Sequence, residues 1–221
     1  MSKTKVIAFA NNKGGSGKTT TCSNVGCAMA LQGKKVLLID GDMRCPTQHM
    51  IFGADKNRNG LSEVLAGIAA NPLEEAVSAT AYEGLDLMIC GHIPPNPTEL
   101  LASERMKELL DACRERYDYV FIDLPPILET SDAGVLTQYL TAYLLVARAG
   151  YSKIDSVSDV VGVMESLHAN LAGFVLNGVN VRGGSHGYYS HYSKYQRYGK
   201  YARVEGPRPV EKSGVPTGEG Q

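Results

Sequence analysis

The segment Lys13-Gly14-Gly15-Ser16-Gly17-Lys18-Thr19-Thr20 concentrates three glycines, two lysines and three hydroxyls within eight residues. Glycines let successive backbone N–H groups turn inward around an anion, and the start of a helix adds its positive end. An apolar run, Val6 to Ala10, precedes the segment, and a helical pattern follows it. That context makes a glycine pattern a phosphate loop, with residues 13 to 20 as the cradle. Lys18 would reach the β- and γ-phosphates of ATP, and the Thr19 hydroxyl would ligate Mg²⁺. The common loop carries glycine five positions before Gly17; Asn12 stands there, followed by the additional Lys13.

Carboxylates follow at two apolar runs. Val36-Leu37-Leu38-Ile39 leads into Asp40-Gly41-Asp42, and side chains two apart on an extended chain point the same way. Tyr119-Val120-Phe121-Ile122 delivers Asp123, followed by Leu124-Pro125-Pro126. Asp40, Asp42 and Asp123 with Lys18 are the candidate catalytic residues, and Thr19, Asp40 and Asp123 the candidate metal ligands. For any one of these acids the alternative is a helix cap or a solvated loop. The chemistry of the set is phosphoryl transfer.

The elements that must hold these groups alternate. Short β-branched runs occur at 6–10, 36–39, 85–89, 119–122, 143–146 and 174–176, with helical spacing at 19–31, 98–114 and 154–167. Strands apolar on both faces belong to a mainly parallel sheet between helices. The pattern predicts a doubly wound α/β fold whose ligand site lies at the carboxyl ends of the strands.

One domain over 1–181 and a flexible tyrosine-rich tail over 182–221 fit a chain of 221 residues that is 43% hydrophobic and 20% charged. A net charge of -1 argues against a general nucleic-acid binder. No apolar run approaches the eighteen or so residues that span a bilayer, so the expected location is cytoplasmic. Cys22, Cys27, Cys45, Cys90 and Cys113 form no Cys-x-x-Cys pair and read as free thiols.

The stretches Asp40-Gly41-Asp42-Met43-Arg44, Pro94-Pro95-Asn96-Pro97-Thr98-Glu99-Leu100-Leu101 and Phe121-Ile122-Asp123-Leu124-Pro125-Pro126 resemble the bacterial tyrosine kinases, the autokinases of capsular and exopolysaccharide synthesis. The resemblance covers roughly residues 36 to 201. It implies ATP-dependent phosphorylation of the chain's own tail, a homo-oligomer, a separate membrane activator of the polysaccharide co-polymerase type and a cognate tyrosine phosphatase. It also implies a peripheral position on the inner membrane face. Asn177 sits where related nucleotide-binding proteins contact adenine. The resemblance departs at the N-terminus, where a strand begins directly after Lys5 in place of a Glu-x-x-Arg-x-x-Arg helix. The loop Asn11-Asn12-Lys13-Gly14-Gly15 resembles instead the partitioning and septum-positioning ATPases of the ParA and MinD type, in which the extra lysine reaches a partner subunit's nucleotide.

Of twelve tyrosines, six fall in the tail: Tyr188, Tyr189, Tyr192, Tyr195, Tyr198 and Tyr201. Their neighbours are Gly, Ser, His, Gln, Lys and Arg rather than aliphatic residues, which marks exposed phenols and candidate autophosphorylation sites. A partner-binding or nucleic-acid-binding strip is the alternative. The eleven residues from Asn177 to Tyr188 reach at most roughly 36 to 40 Å, enough for a neighbouring subunit's site. The leading reading is a tyrosine autokinase acting in trans; the others are a partition-type ATPase switch and a nucleotide-binding scaffold.

Overall fold

A computed structural model describes residues 3–179. The chain runs β1 (Lys5–Ala10), α1 (Lys18–Ala30), β2 (Val36–Asp40), α2 (Gln48–Phe52), α3 (Leu61–Ala66), α4 (Pro72–Glu75), β3 (Val77–Ala79), β4 (Leu85–Met88), α5 (Pro97–Leu101), α6 (Glu104–Arg116), β5 (Tyr119–Asp123), α7 (Asp132–Leu136), β6 (Ala142–Arg148), α8 (Ile154–Ser166) and β7 (Leu171–Asn177). The seven strands lie in the order β3-β4-β2-β5-β1-β6-β7, and every pair is parallel except β3 with β4.

Alternation along each strand sorts the core into two layers. Val6, Ala8, Leu37, Ile39, Val120 and Ile122 face α3, α5, α6, α7 and α8, where Leu65, Leu101, Leu110, Leu136 and Val160 complete the larger core. Phe9, Val36, Leu38 and Phe121 face the other way, against Cys22, Cys27 and Ala30 of α1. Both faces are thus covered, and the central strands read as unbroken apolar runs for that reason.

Two expectations needed correction. The helical spacing over 98–114 is two helices, α5 and α6, broken at Ser103, whose backbone is extended and whose hydroxyl donates to the Leu100 carbonyl (2.7 Å). Serine competes for nearby backbone groups and so favours a helix boundary over a helix interior. The antiparallel strand β3 has only three residues, too few for a period to show.

The carboxyl ends of β1, β2 and β5 meet in the middle of the sheet, with Asp40 and Asp123 directly paired in register across β2 and β5. A packed junction beside them fixes the exit of β4. Leu61 and Ser62 N–H donate to the carbonyls of Ile89 and Cys90, and the Glu63 carboxylate accepts from Gly60 N (2.8 Å). A Cβ on Gly60 would lie 2.4 Å from the Ile89 carbonyl oxygen, which is backbone and cannot swing away. Gly60→Ala is therefore expected to cost about 1 to 3 kcal/mol, a fall in melting temperature of roughly 2 to 12 °C by differential scanning calorimetry. An unchanged melting temperature would show that the junction yields.

Candidate functional site

The loop between β1 and α1 closes on itself through Asn11, whose amide donates to the Lys13 carbonyl (2.6 Å) and the Ser16 hydroxyl (2.9 Å). Gly15 and Gly17 have φ of 81° and 83°, in the left-handed region that glycine enters without steric cost. Around the loop lies a cavity of about 230 Å³ lined by residues 14–20 with Asn11, Asp42 and Pro126. A Cβ on Gly14 would meet nothing within 4 Å, so packing does not explain that glycine.

Lys18 is nearly buried and forms an ion pair with Asp123, itself buried at the end of β5. The second Asp123 oxygen accepts from Gln48 Nε2 (3.1 Å), and Gln48 Oε1 accepts from the Ser23 hydroxyl of α1 (2.8 Å). Asp40 is fully buried and accepts backbone N–H groups from Asp42 (3.3 Å), Thr47 (3.0 Å) and Gln48 (2.9 Å), holding the start of α2. Burial, and then the neighbouring Asp123, push the Asp40 carboxyl up to about 7 against the pull of the Gln48 N–H. Asp42 accepts from Arg44 N and Cys45 N and stands on the cavity wall. Of the three predicted carboxylates, then, Asp123 is paired with Lys18, Asp40 lies beneath as a cap, and Asp42 lines the cavity.

Asn177, expected beside adenine, donates through Nδ2 to the Ser16 and Gly17 carbonyls (3.2 and 3.3 Å) and to the Thr21 hydroxyl (2.8 Å). It ties β7 to the loop, and only Oδ1 of its amide is left for a base. Lys13 does not line the cavity: its Nζ sits 3.9 Å from the centre of the Tyr151 ring. Thr19 and Thr20 do line it. The tail tyrosines and the 181/182 boundary lie outside the described residues.

Sequence reasoning missed several residues that hold the site. Gln48 links α1, β5 and the end of β2. Arg148 Nη1 donates to the Gly15 carbonyl (3.1 Å) and the Tyr151 hydroxyl to the Gly14 carbonyl (3.0 Å). Asp132, fully buried, receives Arg44 Nε and Nη2 (3.0 and 3.1 Å) and the Thr98 hydroxyl, joining the turn after β2 to α5 and α7. The run Asp-Met-Arg and the stretch containing Thr98 were each visible; their meeting at Asp132 had no local signal. The cysteines are free as expected, and burial pushes the Cys27 thiol up to about 11 and those of Cys90 and Cys113 up to about 12.

Two buried carboxylates served by one buried ammonium are short of positive charge, and a dication at the cavity would supply it. The donors fit a hard cation: the Thr19 hydroxyl and Asp42 on the wall, with Asp40 and Asp123 behind. Among the described residues no three acidic, histidine or cysteine side chains gather closely enough to hold a metal alone. A cation here would share its shell with phosphate oxygens and water.

Asp40 gives a sign to the pH dependence. Its native pKa lies above the unfolded value, so between about pH 4 and 7 the native state keeps a proton that the unfolded chain has released. Stability from this group falls as pH rises through that window and levels off above it, by at most about 1.4 kcal/mol per pH unit. In metal-free buffer, urea titrations of the wild type relative to Asp40→Asn should show that decline between pH 5 and 7. A difference independent of pH would mean that Asp40 is ionised throughout.

Comparison with known proteins gives this geometry its relatives. Residues 4–171 match the family described as AAA domain. The chain is 39% identical over 176 residues to tyrosine-protein kinase YwqD of Bacillus subtilis, covering 79% of this chain and 73% of that one. The solved kinase domain of the Escherichia coli tyrosine kinase Etk superposes with a TM-score of 0.76 at 36% identity, covering 83% of this chain and 72% of that domain. Against full-length Etk the chain spans 22% of the relative's length. The septum site-determining protein MinD of Pyrococcus horikoshii, solved with Mg-ADP, gives a TM-score of 0.66 at 28% identity, covering 83% of this chain and 72% of that one. Among the described residues no helix is long and apolar enough to cross a membrane.

Proposed function

We propose, for a chain that belongs to the bacterial tyrosine-kinase family, that it transfers the γ-phosphoryl group of Mg-ATP to the tyrosines of its own tail, in trans, and so regulates capsular or exopolysaccharide synthesis and export. The observation that carries this reading is Asn177: its amide is hydrogen-bonded to the phosphate loop, and the tyrosine cluster begins eleven residues later. Eleven residues span at most roughly 36 to 40 Å, a length that allows a neighbouring copy's site to be reached. Kinase relatives at 39% identity support the same chemistry.

The roles assigned here have the support of the geometry. Lys18 and the loop amides bind the phosphates, and Thr19, with Asp40 and Asp123, would hold Mg²⁺, whose charge would offset that of the phosphates. A phenol with pKa near 10 is only about one part in a thousand ionised at pH 7, so a carboxylate must take its proton. Asp42 stands on the cavity wall, where an incoming phenol can reach it, whereas Asp40 lies beneath the cavity; we assign the base to Asp42. The transition state is loose, so positioning and charge neutralisation supply most of the acceleration. The remaining parts of the reading are a homo-oligomer of at least two subunits, a membrane activator that holds the kinase at the inner membrane face, and a cognate tyrosine phosphatase. Six phosphotyrosines would place about -9 to -12 charges on a tail that is now basic, and repulsion of that size favours dissociation.

A nucleotide-switched ATPase of the MinD kind is the second reading, favoured by Asn12 and Lys13 in the loop. Intact mass after Mg-ATP separates them, since a switch adds no phosphate to tyrosine. For action in trans, a full-length Lys18→Met chain is mixed with an active chain lacking residues 182–221. Phosphate on the full-length inactive chain is expected, and its absence rules out transfer between subunits. Lys13→Ala should lower turnover several-fold with ATP affinity nearly intact if Lys13 serves a partner's nucleotide; unchanged turnover removes that role.

A further inference from the structure

Six of the twelve tyrosines lie among the described residues, and Tyr151 is the only one of them that is exposed, at 42%. Tyr143 is buried, and Tyr117 is half-buried with its hydroxyl held by Asp86 (2.9 Å). Tyr151 stands outside the phosphate cavity but against its loop. Its hydroxyl donates to the Gly14 carbonyl (3.0 Å), Lys13 Nζ rests 3.9 Å from its ring centre, and the Arg148 guanidinium is 5.7 Å from that centre. A Cβ on Gly15 would sit 3.1 Å from the same hydroxyl. The one exposed tyrosine of the described domain is thus a clasp on the nucleotide loop, flanked by two cations.

We propose that Tyr151 is a phosphorylation site of this kinase and that its modification releases the clasp and weakens ATP binding. The inference rests on the chain's acting as a tyrosine kinase, though not on the tail being its substrate. Because Tyr151 does not line its own cavity, the phosphate comes from a second copy. The phenolic oxygen forms a bond to the γ-phosphorus, the bond from that phosphorus to the β,γ-bridging oxygen breaks, and ADP leaves. The phenolic proton passes to a carboxylate of the donor subunit.

The ester oxygen that results has no proton to give, so the bond to the Gly14 carbonyl is lost. A dianion would then lie beside the carbonyls of Gly14 and Gly15, which repel it, and beside Lys13 and Arg148, which attract it. Arg148 turned toward that phosphate leaves the Gly15 carbonyl it now holds. Both contacts that set the first half of the loop from outside are undone by a single modification. The kinase would slow as its own product accumulates.

The test follows phosphate and nucleotide affinity separately. Wild-type chain, Lys18→Met chain and Tyr151→Phe chain are each incubated with excess Mg-ATP, freed of nucleotide, mapped by tryptic mass spectrometry and titrated with a fluorescent ATP analogue. Phosphate is expected on the 149–153 peptide of the wild type and not of Lys18→Met incubated alone. Affinity of the modified wild type should fall about fivefold or more, the factor that one net hydrogen bond is worth, while that of Tyr151→Phe stays where it was before incubation. A phosphorylated tail with an unmodified Tyr151 overturns the inference and leaves the kinase reading standing; no phosphate on either overturns both. Phosphate on Tyr151 with unchanged affinity, or an equal loss on incubation in Tyr151→Phe, overturns the clasp.

Discussion

The buried pairing of Lys18 with Asp123 organises the carboxyl edge of the sheet, because it joins the start of α1 to the end of β5 across 105 residues of sequence. Removing two charges from water costs several kcal/mol each, and their attraction recovers that only with good geometry and further hydrogen bonds. Gln48 supplies one to Asp123 and reaches back to Ser23, while Asp40 sits directly beside Asp123 in register. Such an arrangement is weak evidence for stability. It keeps a buried ammonium in the lining of the loop's cavity and leaves two carboxylates short of positive charge.

The loop over this pair is shaped from outside as much as from within. Its carbonyls at 14 to 17 are taken by Tyr151, Arg148 and Asn177, three side chains from the end of β6, the turn after it and the end of β7. With the carbonyls satisfied outward, the N–H groups are free to serve an anion inward. Lys13, the residue that gives the loop its partition-type appearance, is held in its own subunit by an aromatic ring. The loop therefore resembles one family while the surrounding carboxylates and relatives belong to another.

Much of this was legible in the chain. The phosphate loop is a local device, six of seven strands follow from β-branched runs, and Asp40, Asp42 and Asp123 announce themselves by ending such runs. The exceptions have physical causes. A three-residue strand has no period to read, and Ser103 interrupts a helical spacing that continues on both sides of it. Asp40 and Asp42, two apart, looked equivalent; one became a buried cap and the other the wall of the cavity, because β2 ends at Asp40 and the strand's alternation does not carry on to Asp42.

What the sequence by itself determined is whatever depends on neighbours along the chain: the glycine loop, the alternating strands, the doubly wound α/β class and the carboxylates at strand ends. Tertiary structure alone decided which carboxylate meets Lys18, what Asn177 holds, and that Asp132, Arg44 and Thr98 form one junction. It also set Tyr151 beneath Lys13. Backbone preference and side-chain period act over a few residues and can be read in order. Asp123, Asp132 and the outward loop carbonyls are satisfied by whichever group the fold brings near, here from 34 to 161 residues away, and no local pattern encodes that partner.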